Sequence, residues 1–218
     1  MNILILGATG LVGNDCLEII KNQESVHAII CPTRRKLPSH NKLINPDFNT
    51  WLKEIENQPN TLENIDAVIC CLGTTIKLAK SKENFKHIDY ELVMNIAKLC
   101  KQAKVPYFSY NSSIGANIKS KQLYVHTKAL VEKELTELNF EKLTIVRPSL
   151  LSGNSRPEFR LGEWISIQIT KIINPILPKK YRSIKTKQVA KVLCAYTTTS
   201  ITSEPLTILE SDQLQDFI

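Results

Sequence analysis

An apolar run at the N-terminus is followed at once by three glycines, in the stretch Ile3-Leu-Ile-Leu-Gly-Ala-Thr-Gly-Leu-Val-Gly13. The run predicts a short buried strand, and the amphipathic stretch behind it predicts a helix. Glycine turns between a first strand and a first helix bind phosphate groups in doubly wound sheets. Gly7 would allow the sharp exit from the strand, Gly10 the approach of a pyrophosphate, and Gly13 close packing of the helix. A turn of purely structural use is the alternative.

The rest of the chain alternates between short apolar runs and longer amphipathic stretches, the pattern of parallel strands joined by crossover helices. The predicted strands are 2–6, 26–31, 42–44, 67–71, 107–110, 144–146 and 206–209. The predicted helices are 11–22, 82–104, 121–138 and 186–198. We therefore expect an α/β fold over 1–218, a single domain built on a doubly wound parallel sheet with helices on both faces.

Composition limits the kinds of protein this chain can be. Hydrophobic residues make up 43% and charged residues 22%, which is typical of a globular domain, and no apolar run approaches the length of a membrane helix. The six cysteines form no Cys-x-x-Cys pair and nothing marks secretion, so we expect reduced thiols in a cytoplasmic protein. The histidines lack partners at metal-ligand spacing, and no metal is expected.

The net charge of +7 is spread along the chain. Its densest cluster, residues 179–187, holds five cations and one tyrosine but no nucleic-acid motif. We interpret it as a solvated loop and helix start and expect no nucleic-acid partner. A polyanion site is the alternative, and an anionic small substrate would be attracted by the same charges.

Basic residues follow the second predicted strand, where dinucleotide-binding sheets distinguish NAD from NADP. Arg34 and Arg35 stand in place of the acid that binds the ribose 2′-hydroxyl of NAD, and guanidinium groups suit the 2′-phosphate of NADP. This favours NADP(H), with an exposed basic turn as the alternative. Asp47 and Phe48, beyond the third strand, are placed to meet the adenine amine and ring, although the dipeptide is also an ordinary turn.

A second polar constellation follows the fifth predicted strand, where Ser112 and Ser113 precede Tyr124 and Lys128. Tyrosine and lysine four residues apart share a helix face, so the Lys128 ammonium can favour the deprotonated form of the Tyr124 phenol. Such a phenol can exchange a proton with a carbonyl oxygen, and a serine hydroxyl can hold that oxygen. A Tyr-x-x-x-Lys pair alone is more often a surface pair, but the order of glycine turn, serines and pair favours a catalytic site.

Together these residues resemble the short-chain dehydrogenase/reductase superfamily, in its extended-type, atypical branch. The segments that resemble the Tat-interacting-protein-like group of that branch are 70–75, 112–116, Tyr124 with Lys128, 147–151 and 162–164. The resemblance covers almost the whole chain. It implies a single Rossmann-like domain with a small C-terminal extension on the substrate side and a flap over the substrate at about 150–185, including Arg156, Arg160 and Trp164.

The resemblance also implies roles for particular residues. Those implied to bind NADP(H) are Gly7, Thr9, Gly10, Leu11, Val12, Gly13, Arg34, Arg35, Leu72, Gly73, Tyr124, Lys128 and Pro148. The catalytic serine would be Ser112 or Ser113, and Ser113 is favoured. Asp89 stands at a helix position that is commonly asparagine in the superfamily, which leaves the proton relay less certain than the cofactor site.

Two functions are therefore expected. The first is an NADP(H)-dependent oxidoreductase that acts on a carbonyl or alcohol substrate with a Ser-Tyr-Lys site. The alternative is an NADP(H)-binding redox-sensing protein that controls a protein partner without turnover, a function of atypical members that often lack the Tyr/Lys pair. Monomer and homodimer both remain open.

Overall fold

The structure is a computed structural model that describes residues 1–152, 177–199, 201 and 203–217. The strands are β1 (Asn2–Leu6), β2 (Ala28–Ile30), β3 (Leu43–Ile44), β4 (Ala67–Cys70), β5 (Tyr107–Asn111), β6 (Lys142–Arg147), β7 (Leu151–Ser152), β8 (Ile184–Lys185) and β9 (Leu206–Glu210). The α-helices are α1 (Leu11–Ile20), α2 (Phe48–Asn57), α3 (Ile76–Ala79), α4 (Lys82–Lys86), α5 (Leu92–Gln102), α6 (Leu123–Glu137), α7 (Thr186–Thr198) and α8 (Ser211–Asp216). A π-helical segment, His87–Glu91, joins α4 to α5.

Seven of the strands form one parallel sheet in the order β3-β2-β1-β4-β5-β6-β9. The chain starts in the middle of this sheet: Ile3 pairs with Ile29 of β2 on one side and with Ala67 of β4 on the other. The strand order reverses beside β1, and ligands bind doubly wound sheets at the carboxyl ends of the strands next to such a reversal. The Rossmann-like α/β fold expected from the sequence is confirmed.

Two apolar layers enclose the sheet because successive side chains of a strand point to opposite faces. Leu4 and Leu6 of β1 belong to one buried cluster, which includes side chains of α2, α5 and α6. Ile3 and Ile5 belong to the other, which includes side chains of α1, α7 and α8. Helices therefore cover both faces, and the central strands are buried on both sides.

The turn between β1 and α1 depends on two glycines. Gly7 has a φ of +80°, in the left-handed region, and a Cβ added there would lie 2.5 Å from the carbonyl oxygen of Cys71. A Cβ at Gly13 would lie 2.2 Å from the carbonyl oxygen of Gly7. Both distances are shorter than any real contact, so α1 can start this close to β1 only with glycine at these positions.

The structure adds elements that the sequence did not predict. The helix expected over 82–104 contains the π-helical segment, and α2, α3, α8 and the short β7–β8 pair were not predicted at all. The flap expected at about 150–185, with Arg156, Arg160 and Trp164, falls largely on residues 153–176, outside the described residues. None of the described helices is long and apolar enough to cross a membrane.

The close contact at Gly13 predicts a stability effect. Gly13→Ala should lower the free energy of unfolding by about 1–3 kcal/mol, because the new methyl group forces α1 away from the β1 turn. Asn14→Ala, one residue further along the same helix and exposed to solvent, should change it far less. Chemical denaturation of both variants measures the difference; equal stabilities would contradict the packing described above.

Candidate active site

A cavity of about 360 Å³ opens at the carboxyl edge of the sheet, beyond the ends of β1, β4, β5 and β6. It brings together most of the residues singled out in the sequence: Gly10, Leu11, Val12, Gly13, Leu72, Gly73, Ser112, Ser113, Tyr124, Lys128 and Pro148. The lining residues that sequence reasoning did not assign to the site are Cys71, Thr74, Thr75, Leu78, Asn111, Ser149 and Leu151. Five of them lie in segments 70–75 and 147–151, which carry the family resemblance, so that resemblance was a signal that could have found them. Asn111 ends β5 and could have been found from topology, whereas Leu78 reaches the cavity from α3, which the sequence did not predict.

The start of α1 forms one wall of the cavity. Gly10 is the N-cap residue, its amide donates to the Gly7 carbonyl at 2.8 Å, and no acidic side chain stands in the first turn. Backbone amides at a helix N-terminus have no partner within the helix, and the helix dipole adds positive potential there. Since glycines also clear the approach to this turn, the wall fits the pyrophosphate of a dinucleotide.

Other predicted residues lie outside the cavity lining, namely Gly7, Thr9, Arg34, Arg35, Asp47 and Phe48. Arg34 and Arg35 are exposed on the loop after β2. The Thr33 hydroxyl donates to the Arg35 carbonyl at 2.6 Å, and Asn45 Nδ2 donates to that hydroxyl at 2.7 Å. These bonds hold the arginine loop against the end of β3, the outermost strand on that side of the sheet.

Asp47 has a structural role besides the contact with the adenine amine that the sequence led us to expect. It is the N-cap of α2, and its Oδ1 accepts from the amides of Asn49 and Thr50 at 3.1 and 3.0 Å. The hydrogen bond from Thr50 holds the pKa of the Asp47 carboxyl below its usual value. Phe48 packs against Trp51, with ring centroids 6.1 Å apart.

The two adjacent serines differ in what their hydroxyls contact. Ser112 is buried, and its Oγ donates to Glu132 Oε1 at 2.5 Å. Glu132 in turn pairs with Arg147, whose Nη2 lies 2.5 Å from Glu132 Oε2. Ser113 is half-buried, and within the described part of the chain its hydroxyl makes one long contact, 3.4 Å from the Ile114 carbonyl. Ser113 is therefore the serine whose hydroxyl is available to a ligand.

Lys128 is held below the cavity by two partners. Its Nζ lies 3.1 Å from Asp89 Oδ1 and donates to the Tyr110 hydroxyl at 3.2 Å. Asp89 Oδ2 accepts from the Thr74 amide at 2.7 Å. Burial opposes the charge on Lys128, but the Tyr110 phenol and the Asp89 carboxylate outweigh it and raise the pKa of Lys128 above its ordinary value. Burial raises the pKa of Asp89, while Lys128 and the Thr74 amide oppose that rise.

Tyr124 is half-buried on the same helix face as Lys128. Its ring centroid lies 5.9 Å from Lys128 Nζ and 6.0 Å from the ring of Phe85. His126 is on the same turn but turns away, because its Nδ1 lies 2.8 Å from the Ile118 carbonyl. The cavity thus collects a phenol, an ammonium and a serine hydroxyl beside the glycine turn.

A family model described as HIM1 matches residues 37–182. The chain belongs to the HIM1 family. Among its relatives, "Protein FMP52, mitochondrial" of Candida albicans is 33% identical over 172 residues, which cover 76% of this chain and 74% of that protein. "Protein HTATIP2" of Rattus norvegicus is 33% identical over 168 residues, covering 76% and 68%. The resemblance to the atypical, HTATIP2-like branch of the short-chain dehydrogenases is confirmed.

Solved structures of other proteins share the fold of this HIM1-family chain. A short chain dehydrogenase family protein from Francisella tularensis superposes with a TM-score of 0.68 at 15% identity, covering 99% of both chains. MoeE5 in complex with UDP-glucose and NAD superposes with a TM-score of 0.70 at 17% identity, covering 96% of this chain and 75% of MoeE5. At these identities the likeness establishes the fold.

The cytoplasmic location expected from the sequence is wrong. Relatives of this HIM1-family chain carry names that place them in mitochondria, including the FMP52 proteins of Candida albicans and Meyerozyma guilliermondii. All six cysteines have free thiols, and burial raises the pKa of Cys31 and Cys70 to about 12. Buried thiols of this kind stay reduced in more than one compartment, so they could not identify the location.

The different contacts of Ser112 and Ser113 predict different costs on mutation. Ser112→Ala should lower the free energy of unfolding by about 1–3 kcal/mol, because it removes a hydrogen bond to a buried carboxylate, whose Oε1 then keeps the 3.1 Å bond from Arg147 Nε. Ser113→Ala, the matched control, should leave stability nearly unchanged. Urea denaturation measures the free energy of unfolding of both variants. A larger loss for Ser113→Ala than for Ser112→Ala would contradict the assignment of the stabilising hydrogen bond to Ser112.

Proposed function

We propose that the protein is an NADP(H)-dependent oxidoreductase that transfers a hydride between the nicotinamide and a carbonyl or alcohol substrate. The observation that carries the proposal is the convergence of Tyr124, Lys128 and Ser113 on one cavity whose wall is the glycine turn and the start of α1. HIM1-family membership and the dehydrogenase fold support it. The structure of MoeE5 in complex with UDP-glucose and NAD supports a nicotinamide dinucleotide as the ligand.

The residues that would hold the dinucleotide divide by the part they contact. Gly10 to Gly13 would meet the pyrophosphate with backbone amides, and Leu72 and Gly73 would flank the cofactor. Pro148 and Lys128 would lie at the nicotinamide and its ribose. When bound, the dinucleotide supplies or accepts the hydride.

The side chains of this chain would handle the proton and the substrate oxygen. In the reducing direction the Tyr124 phenol gives its proton to the substrate oxygen, and in the oxidising direction the phenolate takes the alcohol proton. The Lys128 ammonium favours the phenolate through its charge. The Ser113 hydroxyl donates to the substrate oxygen and fixes its orientation.

A redox-sensing function without turnover is the second candidate. It is favoured by the hydrogen bond that Lys128 donates to Tyr110, since this bond and the pairing with Asp89 engage the ammonium, whose Nζ lies 5.9 Å from the Tyr124 ring centroid. NADPH consumption over a panel of aldehydes, ketones and quinones separates the two functions: turnover supports the enzyme, and tight binding without turnover supports the sensor.

If Tyr124 is the proton donor, Tyr124→Phe should reduce turnover by at least about a hundredfold, the usual size of a general acid's contribution. Affinity for NADPH should change little, because one hydroxyl is lost from a large ligand surface. Tyr107→Phe, at the opposite edge of the sheet, is the matched control and should keep full activity. Steady-state kinetics with calorimetry measures both quantities. Unaltered turnover in Tyr124→Phe would refute the mechanism.

If Arg34 and Arg35 bind the 2′-phosphate, replacing both with alanine should weaken NADPH by about a hundredfold or more, as expected for the loss of two charged hydrogen-bond donors. NADH affinity should stay nearly constant. Lys98→Ala with Lys191→Ala removes two exposed cations from α5 and α7 and controls for the net charge. Competitive titration measures the affinities of the wild type and of both double variants for NADPH and NADH. Equal losses of affinity for NADPH and NADH would show that residues other than Arg34 and Arg35 distinguish the two dinucleotides.

A further inference from the structure

The charged groups at the wall of the cavity are few. Among the described lining residues, Asp89 and Lys128 are the two with a formal charge at neutral pH. Their side chains are 0% and 4% exposed, and their charged atoms lie 3.1 Å apart. An ion pair buried this far from water costs desolvation energy, so its presence at a ligand cavity calls for a function.

The backbone leaves room for this pair. A Cβ at Gly73 would lie 3.1 Å from Asp89 Oδ1 and 3.2 Å from Lys128 Nζ, so a side chain there would press on both charges. The Thr74 amide, one residue further on, holds the second carboxylate oxygen. The loop after β4 thus brings Asp89 and Lys128 together at the part of the cavity assigned to the cofactor.

Two tyrosines and one cysteine also face the pair. They are Tyr110 of β5, Tyr124 of α6 and Cys70 of β4. Burial raises the pKa of Cys70 to about 12 and raises the pKa of Tyr110 above its usual value. The described wall therefore carries one positive and one negative charge, and their sum is zero.

This balance matters for a nicotinamide dinucleotide because the oxidised ring carries one positive charge and the reduced ring carries none. We propose that Asp89, by cancelling the charge of Lys128, determines how strongly the site prefers the oxidised or the reduced dinucleotide. The inference rests on the proposed cofactor site and holds for the enzyme and for the sensor alike. Asp89 acts through Lys128 and is a positioning residue.

The test compares the dissociation constants of NADP⁺ and NADPH by calorimetry at neutral pH. Asp89→Asn leaves the Lys128 charge uncompensated, so the ratio of the NADP⁺ constant to the NADPH constant should rise about tenfold, as expected for one unit charge within about 10 Å at an effective dielectric constant near 20. Asp66→Asn is the matched control, because Asp66 accepts from the Asn2 amide at the amino end of the sheet. Its ratio should equal that of the wild type.

Two further variants separate charge from structure. Tyr110→Phe removes a hydrogen bond to Lys128 without changing the charge, and its ratio should stay at the wild-type value. The double variant Asp89→Asn with Lys128→Gln removes both charges, so its ratio should stay within about threefold of the wild type even if both affinities fall. If Asp89→Asn alone does not fold, the double variant can still be measured, since it leaves no unpaired buried charge. A large change in its ratio would then overturn the inference.

The outcomes are distinguishable from those of the proposed function. The inference is supported if the ratio of the NADP⁺ to the NADPH dissociation constant rises in Asp89→Asn and is back at the wild-type value in the double variant. This holds whether or not the protein turns over any carbonyl. Equal weakening of both forms in Asp89→Asn, or a large change in the ratio of the double variant, overturns it while leaving the cofactor site intact. Failure of the wild type to bind either form refutes the proposed function and the inference together.

Discussion

The contact between α1 and the turn after β1 determines how the rest of the site is built. With no Cβ at position 13, the helix starts against the carbonyl oxygen of Gly7, and with no Cβ at position 7, that turn lies against the backbone of Cys71 after β4. Three backbone segments therefore meet at the carboxyl edge of the sheet. The first turn of α1 is held at the point where the strand order reverses, and the cavity opens beside it.

Two networks fix the polar side chains behind the cavity, one of them buried and the other partly exposed at Arg147 and Glu210. One joins Lys128 to Asp89 and Tyr110 beneath the predicted nicotinamide site. The other runs from Ser112 through Glu132 to Arg147 and on to Glu210, whose Oε1 lies 2.9 Å from Arg147 Nη1. Since buried polar groups are costly when unpaired, these networks restrict the positions of the strand ends that carry Ser113 and the helix that carries Tyr124.

The sheet could be predicted from the sequence because β1 and β4 at its centre are buried on both faces and consist almost entirely of apolar residues. The cavity followed from topology, since strand ends of a parallel sheet share one edge. The partner of Lys128 could not be predicted, because Asp89 reaches it from a π-helical segment whose residues match the pattern of an ordinary helix. Ser113 was favoured over Ser112 through the family resemblance alone, because the alternation of side chains along a strand does not say which of two neighbouring serines offers its hydroxyl to a ligand.

A crystal structure of the protein grown with NADPH tests the central claim most directly. The account predicts density for the pyrophosphate against the amides at the start of α1, for the 2′-phosphate beside Arg34 and Arg35, and for the nicotinamide between Lys128 and Ser113. Density for the nucleotide at another place, or a cavity that stays empty at saturating NADPH, would contradict it.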